Sequence, residues 1–118
     1  MAAKEALKKT TGLTRLAVNP YARENLMQIY DKILRTVAKM PETAAYRQNT
    51  ESIVKGRLNL VKSEQNLQKL EEQINDGQIE EVVLQAKREL KLSRQMLDNK
   101  VWEPLAGQAP KNQWKWPL

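Results

Sequence analysis

Apolar residues recur along this chain at steps of three and four. The clearest run is QIEEVVLQAKRELKLSRQMLDNKVW, residues 78–102. Ile79, Val82, Val83, Ala86, Leu90, Ser93, Leu97 and Val101 fall, at about 100° per residue, within a stripe roughly 100° wide, broad enough to face a core. Gly77 supplies the break before this helix, and Pro104 stops it. Glu80 and Glu81 in the first turn and Lys100 in the last suit the helix dipole. At about 1.5 Å per residue such a rod is nearly 40 Å long and cannot bury its own stripe. It is therefore the element around which the rest of the chain is expected to organise, with two partners of similar length upstream.

The first partner starts at Asn19 followed by Pro20, a capping residue and a residue suited to the first helical position. It runs to Met40, where Pro41 ends it, with Leu26, Ile29, Tyr30, Ile33, Val37 and Met40 on one face. The second runs from about Glu42 to Lys62 with a rougher face of Tyr46, Thr50, Ile53, Val54, Leu58 and Val61. Gly56 costs it up to ~1 kcal/mol relative to alanine, a penalty that often marks a close backbone approach. Residues 63–77 carry Leu67, Leu70 and Ile74 at helical spacing, with Ser63 as cap and Asn75, Asp76 and Gly77 as stop. They predict a short helix that turns the chain back. The pattern as a whole predicts an all-α fold: a three-helix bundle over 19–102 with a short extra helix between the second and third long ones. An extended N-terminal arm (1–18) precedes it and an irregular, extended C-terminal tail (103–118) follows.

That tail, EPLAGQAPKNQWKWPL, has three prolines and no helical period. Trp114 and Trp116 are two apart, so in an extended segment their rings project to the same side, and Pro117 steers Trp116 toward such geometry. Each ring carries about 150–250 Å² to bury, either over its own bundle or on another protein. With Trp102, Pro117 and Leu118 they form one candidate partner interface. Leu84 and Leu92 form another, because they project opposite the core stripe among Glu81, Arg88, Lys91 and Gln95.

Composition narrows the chemistry. With 118 residues, the chain is one small domain. It contains no cysteine and no histidine, which removes disulfides, thiolate ligands and the commonest general base. The glycines form no phosphate-cradling loop. Glu71 beside Glu72 and Glu80 beside Glu81 diverge by ~100° on a helix, so they read as solvated faces and helix-start charges rather than catalytic pairs. Lys8 and Lys9 are no motif. The formal net charge of +6 is interleaved with acids, which reads as a mildly basic solvated surface rather than a nucleic-acid face. A free-standing basic helical module binding nucleic acid is the alternative from a different class. Residues 1–18, basic with a single acid, read either as a mitochondrial import signal or as an ordinary basic N-terminal arm. No apolar run approaches the ~20 residues needed to cross a bilayer.

Six stretches carry a resemblance: LKKTTGLTRLAV (7–18), YDKILRTVAKMP (30–41), AAYRQNTESI (44–53), GQIEEVVLQAKREL (77–90), WEPL (102–105) and QWKWPL (113–118). In this order they resemble the family of small accessory subunits of mitochondrial respiratory complex I called 1 alpha subcomplex subunit 5. The resemblance implies a helical bundle without flavin, iron–sulfur cluster or other cofactor, and a non-catalytic role in assembly and stability. It also implies a place on the matrix-facing peripheral arm, so that membrane association is indirect. Neighbours would include the 30 kDa core subunit, and import would proceed without a cleaved presequence.

Overall fold

A computed structural model describes residues 8–117, so Leu118 and the first seven residues of the arm lie outside the described residues. Four helices follow in order: α1 (Ala22–Val37), α2 (Ala45–Ser63), α3 (Leu67–Ile74) and α4 (Ile79–Asp98). The described residues contain no strand. The fold is all-helical with a short helix before the last long one, as the spacing predicts.

The α1 stripe is entirely inside: Leu26, Ile29, Tyr30, Ile33, Val37 and Met40 are all buried. They meet Val54, Leu58 and Val61 of α2, Leu70 of α3, and Ile79, Val82, Val83 and Ala86 of α4 in one continuous core. Each large aliphatic side chain so buried stabilises the fold by about 1.5–3 kcal/mol. The centre of the arrangement differs from the expectation. It is α1, not α4, whose backbone lies close to both other long helices. Tyr46 of α2 reaches Glu89 of α4 with its hydroxyl, spanning the wider gap between the outer pair. The molecule is accordingly thin, with extents of 61 × 36 × 20 Å.

Contacts at the helix ends fix the directions. Arg23, at the start of α1, donates from Nε to the carbonyl of Val61 at 2.8 Å and from Nη2 to that of Lys62 at 3.3 Å. It thereby satisfies the orphan acceptors at the C-terminus of α2, which runs antiparallel to α1. At the opposite end Arg47 of α2 donates to the carbonyl of Met40 and pairs with Glu51 at 2.9 Å. By contrast α1 and α4 are parallel, with the segment before α1 held beside the start of α4 and Lys39 facing Asp98 across a cleft at the other end.

Several boundaries move from the expectation. Pro20 and Tyr21 form a turn in which the Asn19 carboxamide accepts from the Tyr21 amide at 2.9 Å, and α1 begins only at Ala22. The α1 helix closes at Val37, with Met40 reached through a further turn. Ser63 ends α2 rather than capping α3. The cap is Asn66, whose side chain accepts from the amides of Gln68 and Lys69. Asn75 at φ 54°, a residue type that tolerates the left-handed region, and Gly77 at φ 86°, where a Cβ would be strained, make the turn into α4. The last helix stops at Asp98, and Lys100, at φ 50°, lies beyond it rather than in its last turn. Val101 is therefore exposed instead of core, and so is Ile53 at 60%. A Cβ on Gly56 would meet open space, so no close approach explains that glycine.

Candidate functional site

The described residues offer one buried polar node and three surfaces. The node forms where the two parallel helices begin. Glu80 is only 3% exposed, although adjacent carboxylates at a helix start read as solvated. Its carboxylate accepts from Lys8 Nζ at 2.7 Å and lies 3.5 Å from the Asn19 amide. Lys8 also donates to Gln78 Oε1 at 2.9 Å and stands 3.8 Å from Glu71. Glu71 in turn accepts from the Ile79 amide at 2.7 Å and so closes the N-terminus of α4 with a side chain from α3. Glu71 and Glu80, nine positions apart, converge on one lysine, whereas their sequence neighbours diverge.

Next to the node the described part of the arm, residues 8–18, is held in place rather than free. The Thr11 hydroxyl donates to the Leu16 carbonyl at 2.6 Å, and Gln78 Nε2 donates to the Thr11 carbonyl at 2.8 Å. The physical cause is electrostatic. Two parallel helices place two partial positive charges together, roughly half an elementary charge each, and a buried carboxylate answers them. Lys8 then keeps that carboxylate from being an unpaired buried charge.

A second polar corner joins α2 to the turn before α4 through Arg57 and Asp76, 2.9 Å apart. The Tyr30 hydroxyl is buried here, near Arg57 but outside hydrogen-bond geometry. Burial pushes its pKa up, and the nearby guanidinium partly offsets this. At the root of the tail, Tyr46 donates to Glu89. Burial, reinforced by this carboxylate, pushes the Tyr46 phenol up to about 12. No group of three or more Asp and Glu suited to a metal occurs among the described residues.

The first surface is the tail. Trp114 is 88% exposed and Trp116 85%, with Leu105 and Pro117 exposed as well. The backbone turns over 110–115, with the Gln113 amide on the Pro110 carbonyl and the Lys115 amide on that of Asn112. It is therefore not the extended strand that the two-residue spacing supposes, and the rings do not fold back over the bundle. Trp102 is separate from them. It packs half-buried against the core and lines a cavity of about 270 Å³ with Thr43, Tyr46 and Val101. The second surface is on α4, where Leu92 is exposed at 37% and Leu84 half-buried. The third went unread in the sequence. A cleft of about 400 Å³ between the C-terminal halves of α1 and α4 is lined by Lys32, Arg35, Thr36, Lys39, Arg94, Leu97 and Asp98. Its signal was Lys32, Arg35 and Lys39 at helical spacing, but the contribution of Arg94 depends on the parallel packing.

These features define a thin, all-helical protein with its largest rings outside its core. No helix among the described residues is long and apolar enough to cross a membrane. Residues 15–81 match the model of the conserved region of electron-transport-chain complex I subunits. The chain is 51% identical over 112 residues to NADH dehydrogenase (ubiquinone) 1 alpha subcomplex subunit 5 of Bos taurus, covering 95% of this chain and 97% of the relative. It is likewise 51% identical over 111 residues to a probable subunit 5 of Caenorhabditis elegans, covering 94% of this chain and 74% of the relative. A more distant match is the alpha subcomplex subunit MCI4 of Candida albicans, 39% identical over 105 residues, covering 88% of this chain and 76% of that one. The chain belongs to this family of mitochondrial complex I subunits.

Proposed function

We propose that the chain is a non-catalytic accessory subunit of the peripheral, matrix-facing arm of NADH:ubiquinone oxidoreductase, where it supports assembly and stability of the complex. Its membrane association is then indirect, through the complex, and the 30 kDa core subunit is among its neighbours. Family membership supports the complex. The observation that carries the docking role is the tail, where Trp114 and Trp116 are almost wholly exposed. Tryptophan left in water forgoes a large burial gain, and it is enriched where proteins anchor on one another. Leu84, Leu92, Trp102, Pro117 and Leu118 complete the proposed partner interface, with Trp102 holding the root of the tail against the core.

The nucleic-acid alternative is less well supported. The basic cleft has no aromatic lining on which bases would stack, and elsewhere cations such as Lys8, Arg47 and Arg57 are paired with acids. The test is deletion of residues 106–118 in cells whose only copy is the variant, followed by blue-native electrophoresis. The expected result is a folded chain that fails to enter the complex. Normal incorporation would remove the tail from the interface.

A further inference from the structure

Basic residues beside a helix C-terminus have a structural explanation, because they offset its negative pole. In this cleft that explanation is too small. The carbonyl ends of α1 and α4 amount together to about one negative charge, and Asp98 adds one more. Facing them are four cations, Lys32, Arg35, Lys39 and Arg94. None of the four has a carboxylate within 4 Å among the described residues. A positive surplus thus stands around a concave site, with Leu97 as a partly buried apolar wall.

The arrangement also selects among anions. Lys32, Arg35 and Thr36 occupy positions i, i+3 and i+4 of α1, and Lys39, in the turn that follows the helix, extends them to a row about 10 Å long. Arg94 faces that row from α4. A compact phosphate prefers a helix N-terminus, where backbone N–H groups converge, but both helices present carbonyl ends here. Cations strung along a row suit several carboxylates on a peptide, and guanidinium groups bind carboxylates through two parallel hydrogen bonds. We infer that this cleft docks an acidic segment, carrying at least two Asp or Glu side chains, of a neighbouring subunit. The inference rests on the proposed role as a subunit of the complex and assigns that role a second attachment, remote from the arm node.

The intact complex containing this chain is treated with a water-soluble carbodiimide, which joins a lysine amine to a carboxylate as an amide with loss of water. Peptide mass spectrometry should recover Lys32 and Lys39 joined to Asp or Glu of another subunit. A double Arg35→Glu, Arg94→Glu variant should enter the complex about tenfold less, since reversing charges at a docked pair costs at least that factor. Circular dichroism of the free full-length variant checks its folding, and if it is unfolded the cross-links alone decide. Recovery of Lys32 and Lys39 uncoupled, or joined only within the chain, overturns the inference and leaves a solvated basic surface. So does normal incorporation of a variant that has lost binding to vesicles of phosphatidylcholine with an anionic phospholipid, which would make the occupant a lipid. If the unaltered chain does not migrate with the complex at all, the functional proposal itself fails. If it migrates with the complex but the cleft lysines stay unlinked, only the cleft is lost.

Discussion

At one end of the chain a lysine from outside the helices reaches a carboxylate that is almost fully buried; at the other, two tryptophans stand in water. By hydrophobicity alone the order should be reversed, since the tail carries the greasier residues and the arm the charged ones. What ties the arm is a charge that the helix packing calls for. Parallel packing of α1 and α4 creates a place for a carboxylate, that carboxylate requires a cation, and Lys8 lies within reach. The tail has no such requirement to meet. Beyond Trp102 no residue of it is even half-buried among the described residues. A segment is fixed by what the core demands of it, not by how apolar it is.

The comparison can be broken by substitutions of graded size. Leu26→Ala sets the scale, because Leu26 is fully buried and lies in neither end. It should cost about 3 kcal/mol in urea unfolding. Lys8→Ala comes next. It leaves Glu80 buried without its nearest cation, and after discounting for the solvent around Lys8 it should cost about 1–2 kcal/mol. If Lys8→Ala unfolds at the same urea concentration as the parent, the arm is no better anchored than the tail.

Tyr46→Phe, at the root of the tail, removes a hydrogen bond to a charged acceptor and should cost about 1 kcal/mol at neutral pH. It should also change the alkaline limb of stability. The folded phenol holds its proton up to about 12 against an ordinary 10.0, so its contribution is complete below pH 10 and is lost as pH rises toward 12. The parent should therefore lose more stability over that interval than the variant, with the remaining slope owing partly to Tyr30. Equal slopes would mean that this contact does not govern the titration. The smallest effect belongs to the tail. Removing 106–118 should alter unfolding free energy by less than about 0.5 kcal/mol, since it buries nothing in the core.

Much of the architecture could be read from the spacing of apolar residues. The α1 stripe was legible in full because it touches core on both sides. On α2 and α4 periodicity alone misplaced Ile53 and Val101. An outer helix has a narrower buried face, and the left-handed Lys100 ends α4 before Val101 can turn inward. The stripe lengths point to α4 as the centre, yet for a related reason it is α1, since the longest stripe is not the most surrounded one. Glu80 was invisible as a buried residue because its burial depends on a parallel neighbour and on a residue 72 positions away. The basic cleft was hidden likewise, since Arg94 meets the α1 row only through that same parallel packing. Trp114 and Trp116 stood out as candidates on residue type alone, but the turns beneath them did not.

The central position of α1 has a consequence for how the chain reaches its shape. The α1–α2 hairpin can form early from local pairings, yet the other flank of α1 stays open until α4 arrives, after the α3 excursion. That long loop must close before the last large set of contacts rewards it, and such closure slows folding. Until then the hairpin leaves the flank of α1 that α4 covers open to any other apolar surface. A ribosome or import pore that delivers the chain from its N-terminus therefore hands over a half-covered layer of helices, and the final twenty helical residues act as its seal.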